Sequence, residues 1–101
     1  MYINSTDYVS GVPSSYPGYV LTRGSRGEKV GAIQEQLNRI AQNYPLIPTL
    51  DVDGIYGPKT AEAVRIFQGI FNLPQTGNVD LATWYKISQI YVGVSRIAEP
   101  G

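Results

Sequence analysis

One pattern recurs along this chain and limits what it can become. Gly24-x-x-Gly27-x-x-Val30 is repeated thirty residues later as Gly54-x-x-Gly57-x-x-Thr60, and more briefly as Gly77-x-x-Asp80-x-x-Thr83. The register persists past the glycines, with Lys29 over Lys59, Ile33 over Ala63, Leu37 over Phe67 and Asn38 over Gln68. Each copy is a glycine-bearing turn that feeds an apolar stripe of helical period. A glycine in such a place supplies positive φ or lets a neighbour approach closely. One unit used three times in a chain too short for two cores predicts three short helices around one interior. The expected fold class is therefore all-α, a compact three-helix bundle with an internal pseudo-repeat.

The stripes set the helix limits. Val30, Ile33, Leu37, Ile40, Ala41 and Tyr44 recur at steps of three and four, which predicts a first helix from Gly27 or Glu28 to about 42–44, before Pro45. Gly57 caps a second helix with Pro58 at its first position, where the missing N–H is no loss. Its buried face is Ala63, Val64, Phe67, Ile70 and Phe71, and it stops at Asn72 ahead of Pro74. Asp80 is a suitable N-cap for a third helix reaching about Tyr91, and Val79 and Trp84 stand at the positions of a hydrophobic staple. Residues 1–18, rich in Ser, Tyr, Gly and Pro, read as a linker or extended arm; the rival reading is an arm packed on the domain through Tyr16, Tyr19 and Val20. The helical domain is expected over 19–92 and a tail over 93–101.

Charge and composition remove whole classes of function. Eight basic residues balance eight acidic ones, so the basic excess of a nucleic-acid binder is missing. No run approaches the about 20 apolar residues that span a bilayer, so no membrane partner is expected. Cysteine and histidine are both absent, which excludes thiol nucleophiles, disulfides, Cys/His zinc sites and an imidazole base. No basic-then-apolar segment opens the chain; a signal for export is expected outside these residues.

The segment Asp51–Gln68, "DVDGIYGPKTAEAVRIFQ", holds the remaining chemistry. With Gly54 as the sixth position of a calcium loop, Thr49, Asp51 and Asp53 would fill the first, third and fifth. The twelfth would be Thr60, where a carboxylate is needed, and Pro58 interrupts the loop. Aspartates in a glycine turn ordinarily bond their own backbone; no metal and no cofactor are expected. Asp51 and Asp53 could pair as in glycoside hydrolysis, but no second acidic cluster accompanies them, and Glu28 and Glu62 suit the positive ends of their helices. The chain is not expected to be an enzyme. Lys29, Lys59, Arg39 and Arg65 read as solvated helix-face charges, or as holders of a carboxylate or phosphate. Gln34 and Gln68 suit hydrogen bonds at helix–turn contacts, with a ligand role as the alternative. Trp84 reads as core. Tyr56, outside both stripes, is either a lid over the core or an exposed aromatic that stacks on a sugar.

The text from Leu21 to about Ile87 resembles the bacterial peptidoglycan-binding domain, the three-helix module attached to cell-wall hydrolases. The residues that carry the resemblance are Arg23, Gly24, Arg26, Gly27 and Val30; Ile33, Gln34, Leu37 and Asn38; Asp53, Gly54, Tyr56, Gly57, Thr60, Ala63, Val64, Phe67 and Gln68; Leu73, Pro74 and Gly77; and Asp80, Thr83 and Trp84. The connector "NYPLIPTLDVDG" is longer than the common form. The similar helical domain of animal metalloprotease propeptides is followed by an inhibitory cysteine, which this chain lacks. The resemblance implies a non-catalytic module that targets an attached hydrolase, such as an amidase or peptidase, to the wall. Its partners would be peptidoglycan and a fused catalytic domain outside this chain, its state a monomer, and its location extracellular, in the cell wall or spore envelope. The alternative is a protein-interaction or spacer module that docks a neighbouring catalytic domain. The ligand surface is expected at Asp53, Tyr56, Lys59, Arg65 and Gln68, built from the Asp53–Lys59 turn and nearby helix faces.

Overall fold

In a computed structural model of the chain, residues 15–97 are described. Helix α1 runs Glu28–Ala41, α2 Pro58–Ile70 and α3 Leu81–Ile97. No strand forms among the described residues; two isolated antiparallel bridges, Leu21 with Val79 and Arg26 with Ile55, stitch the turns together. Helices α1 and α3 pack most closely, with α2 laid against them.

Gly24, Gly54 and Gly77, the lead glycine of each repeat, all take positive φ (95°, 72° and 78°), where a side chain would clash with its own backbone. The turns then braid into one layer beside the helix N-termini. Gly24 N–H donates to Tyr56 O at 2.9 Å, Tyr56 N–H to Ser25 O at 2.9 Å and Gly27 N–H to Gly54 O at 2.9 Å. Leu21 and Val79 exchange both backbone bonds, at 3.0 and 2.9 Å.

The helix starts match the sequence expectation. Gly27 and Gly57 cap α1 and α2, Pro58 opens α2, and Asp80 Oδ1 accepts from Thr83 N–H at 2.9 Å to cap α3. Val79 and Trp84 are both fully buried around that cap, as a staple requires. Past Ile70 the chain leaves α2 through Asn72 in the left-handed region (φ 62°), and Leu73 N–H returns to Gln68 O at 2.8 Å. Asparagine tolerates that conformation better than other non-glycine residues.

The core combines Val30, Ile33, Leu37 and Ile40 of α1 with Ala63, Val64 and Phe67 of α2 and Trp84, Ile87 and Val94 of α3. Tyr44, expected on the α1 stripe, lies beyond the helix end and packs edge-on against Phe71. Helix α3 continues to Ile97, past the expected limit near Tyr91, because Val94 is buried and its carbonyl accepts from Arg39 Nη2 at 2.6 Å. The expected boundary at 92/93 thus falls inside a helix. Of the arm expected over 1–18, residues 1–14 lie outside the described residues, as do 98–101 of the tail. Its near end is docked: Tyr16 meets Trp84 edge-on at 5.8 Å, and Lys29 Nζ donates to Ser15 O at 2.7 Å. Tyr19 and Val20 are exposed.

Candidate functional site

Two buried glutamines organise the turns around the candidate residues. The Gln34 oxygen accepts from Asp53 N–H at 3.1 Å and Gly54 N–H at 2.9 Å, while its nitrogen lies within donating distance of Asp53 Oδ1, Ile55 O and Thr60 Oγ1. The Gln68 oxygen accepts from Gly77 N–H at 2.9 Å, and its nitrogen reaches Thr76 Oγ1, Asn78 O and Thr83 Oγ1. Each helix therefore clamps the turn that starts the next one. The expectation of helix–turn hydrogen bonds for this pair holds, and it accounts for the threonines six residues after Gly54 and Gly77.

Of the five residues expected at the ligand surface, the structure brings Asp53 and Lys59 to one depression, places Arg65 at another and puts two inside. Tyr56 is 1% exposed, and its hydroxyl donates to Gly77 O at 2.7 Å. Burial pushes that hydroxyl's pKa up from the ordinary tyrosine value. The ring is the lid over the core, not a stacking platform, because no face of it reaches solvent. Gln68 is likewise 1% exposed with both ends of its amide engaged. The expectation that Tyr56 and Gln68 meet a ligand is corrected on that ground.

Asp53 and Lys59 line a depression of about 210 Å³ together with Asp51, Leu50, Gln34 and Pro58. Asp53 Oδ1 also accepts from Ile55 N–H at 3.0 Å. That bond, followed by the one from Gln34, holds its carboxyl below the usual aspartate range. Asp53 thus spends one oxygen on its own turn and stays ionised at the rim. Among the described residues no group of three acidic side chains gathers to hold a metal ion.

Arg65 belongs to a second depression, also about 210 Å³, on the other flank of α2. Its guanidinium grips Glu62 through two bonds, Nε to Oε1 at 3.1 Å and Nη2 to Oε2 at 2.6 Å. The hydrogen bond from Arg65, then the charges of Arg65 and Arg23, hold the Glu62 carboxyl below its ordinary range. Arg23, Thr22, Thr76 and Asn78 complete the rim. The sequence singled out none of these four as site residues, because only the Leu21–Val79 bridge, a contact between distant segments, brings 22–23 beside 76–78. Between the two depressions lies the exposed face of α2: Pro58, Lys59, Glu62 and Arg65. Both hollows are smaller than the roughly 300–1,000 Å³ of pockets that engulf a small molecule. A ligand here rests on an open surface and is held by polar anchors.

A family model describing a peptidoglycan binding domain matches residues 26–87. The N-acetylmuramoyl-L-alanine amidase CwlA of Bacillus subtilis (strain 168) is 46% identical over 52 residues, 50% of this chain and 19% of that protein. An uncharacterized protein from the bpoA1 3' region of Kitasatospora aureofaciens is 39% identical over 69 residues, 67% of this chain and 54% of its own length. The crystal structure of the SleB N-terminal domain superposes with a TM-score of 0.65 at 31% identity, covering 76% of this chain and 99% of that one. The match thus spans about a fifth of one curated relative and about half of the other.

Proposed function

Because the chain belongs to the peptidoglycan-binding domain family, we propose that it attaches to peptidoglycan without chemistry of its own and carries a covalently linked hydrolase to the wall. It does so as a monomer, outside the cell or in the spore envelope. The similarity to part of a muramoyl-alanine amidase supports the linked hydrolase. The observation that carries the reading is the outer face of α2, where Lys59, Glu62 and Arg65 stand between two shallow hollows with charged rims. The contact residues are Asp53, Lys59 and Arg65 of the expected set, joined by Asp51. With zero net charge, the chain is not drawn to anionic wall polymers by its overall field; local anchors do the holding.

The test is retention of the full chain on purified sacculi. Wild type should sediment with the wall, and Lys59→Ala and Arg65→Ala should each reduce the bound fraction while leaving the melting temperature within a degree or two, as for most exposed substitutions. Wild type that stays in the supernatant would refute the reading and favour a module that docks a neighbouring catalytic domain.

A further inference from the structure

The two hollows beside α2 differ in sign, and the difference specifies a ligand. The hollow toward the connector carries Asp51 and Asp53 against Lys59. The opposite one carries Arg23 and Arg65 against Glu62. We propose that the Arg23–Arg65 hollow is a carboxylate site that receives an acidic group of the wall peptide; this rests on the wall-binding reading above.

The charges support it first. Glu62 is held ionised by its arginines, so one carboxylate already sits among two guanidinium groups. Arg65 uses Nε and Nη2 on Glu62, which fixes the plane of its fork and leaves Nη1 for a second acceptor. Among the described residues Glu62–Arg65 is the ion pair in direct contact; Arg23 acts on Glu62 by charge alone, so its guanidinium N–H groups make no salt bridge to an acidic side chain. One further carboxylate brings the cluster to neutrality. Guanidinium suits that acceptor through paired N–H groups.

The frame supports it next. The hollow joins three segments, and each is locked. Leu21 and Val79 exchange backbone bonds, and Thr22 Oγ1 donates to Asn78 Oδ1 at 2.7 Å. That bond orients the Asn78 amide, whose NH2 is a further donor at the rim. Gly77 lies so close to α2 that a Cβ there would stand 3.3 Å from Ala61 O. Gln75 Nε2 donates to Arg65 O at 3.1 Å. A site built beforehand loses little affinity to ordering on binding.

Direction follows from the same geometry. Lys59 and Arg65 are six positions apart, about 9 Å along the helix, the reach of roughly three extended residues of peptide. A peptide lying across α2 would put its carboxylate at Arg23 and Arg65 and its N–H-bearing end toward Asp51 and Asp53. The uncharged hydroxyls and acetamido groups of a glycan can accept hydrogen bonds there but bring no charge to balance the second arginine.

The experiment is chemical-shift titration of the full chain with an N-acetylated dipeptide bearing a free C-terminal carboxylate, and with its C-terminal amide. The acid should move the backbone amides of Thr22, Arg23, Arg65 and Gly77, and the amide derivative should not. Arg23→Gln and Arg65→Gln should each weaken the acid about ten-fold, the worth of one charge-assisted hydrogen bond, with melting unchanged; Arg23→Lys should recover part of the loss. Equal shifts with acid and amide, shifts confined to other surfaces, or full affinity in Arg23→Gln would each overturn the carboxylate site. Retention on sacculi reads out separately. If Arg23→Gln and Arg65→Gln bind sacculi like wild type, the carboxylate site fails while wall attachment stands. If wild type does not bind sacculi, wall attachment fails, and the dipeptide titration still decides the hollow.

Discussion

Gln34 stands to the turn at Gly54 as Gln68 stands to the turn at Gly77: in each case a buried amide on one helix accepts from the positive-φ glycine and reaches a threonine in the first turn of the next helix. Two of the three glycine turns share this clamp, although the glutamines fall at different positions of the repeat, where Asn38 rather than Gln34 aligns with Gln68. The clamp joins α1 to the start of α2 and α2 to the start of α3. An amide is well suited because it must accept at one end and donate at the other, and both glutamines are 1% exposed.

Removing either clamp should therefore cost far more than a surface substitution. Gln34→Ala leaves the Gly54 N–H and the Thr60 hydroxyl short of a partner in a dry setting, a loss of about 2–4 kcal/mol. For a domain of this size that lowers the melting midpoint by roughly 10 °C or more. Gln68→Ala should match it within about 1 kcal/mol, since the two roles are alike. Thermal unfolding of both variants checks the parallel; a Gln68→Ala variant as stable as wild type would break it.

Tyr56 lends itself to a pH test. Its hydroxyl is buried against Gly77 O, and desolvation raises its pKa above the ordinary 10.0. In the unfolded chain the phenol ionises near that ordinary value, whereas the folded chain keeps its proton. Above pH 10 the unfolded state thus binds fewer protons, and stability falls as pH rises. Tyr56→Phe should lower stability by about 1–2 kcal/mol at neutral pH through the lost hydrogen bond. It should also flatten the decline above pH 10. Chemical denaturation across pH 7–11 gives both quantities. Retention on sacculi by this variant should be unchanged, since the ring is buried and presents no face to solvent.

Gln36 presents the opposite situation to its neighbour Gln34. It is buried on α1, and its Oε1 is the buried side-chain polar atom without a hydrogen-bond partner among the described residues. A desolvated oxygen with nothing to accept from is a cost. Gln36→Met keeps the length and flexibility of the side chain without that atom, so it should raise stability by about 1 kcal/mol. A lower denaturation midpoint would show that the amide contributes more than its geometry indicates.

The three helices, their caps and most of the core were legible because they depend on local order: the 3.6-residue stripe, Pro58 after Gly57, Asp80 before Leu81. The two-fold use of glutamine was legible as a hydrogen-bonding role. Tyr56 was not, since a turn residue outside the stripes points wherever tertiary contacts send it, and here the contact is Gly77, in a turn remote in sequence. The Arg23 hollow escaped for the same reason, because it exists only once Leu21 pairs with Val79. The third helix, expected to reach about Tyr91, runs on to Ile97: Gly93 is a weak helix former, but its cost is offset by the burial of Val94 beyond it.

That offset can be measured. Val94 is 4% exposed against the core, and its carbonyl receives Arg39 Nη2, which also ties Asn43 Oδ1 through Nη1. The final turns of α3 are thereby fastened to the end of α1. Full burial of a valine side chain contributes about 1.5–3 kcal/mol, so Val94→Ala should lose about 1–2 kcal/mol by retaining only part of it. Gly93→Ala meets open space around its new Cβ and should gain about 1 kcal/mol from helix propensity alone. A chain ended at residue 92 should lose the valine and the arginine contact together, and so melt below either single variant. If truncation at 92 left the midpoint where it was, residues 93–97 would be an appendage and the domain would close at 92 after all.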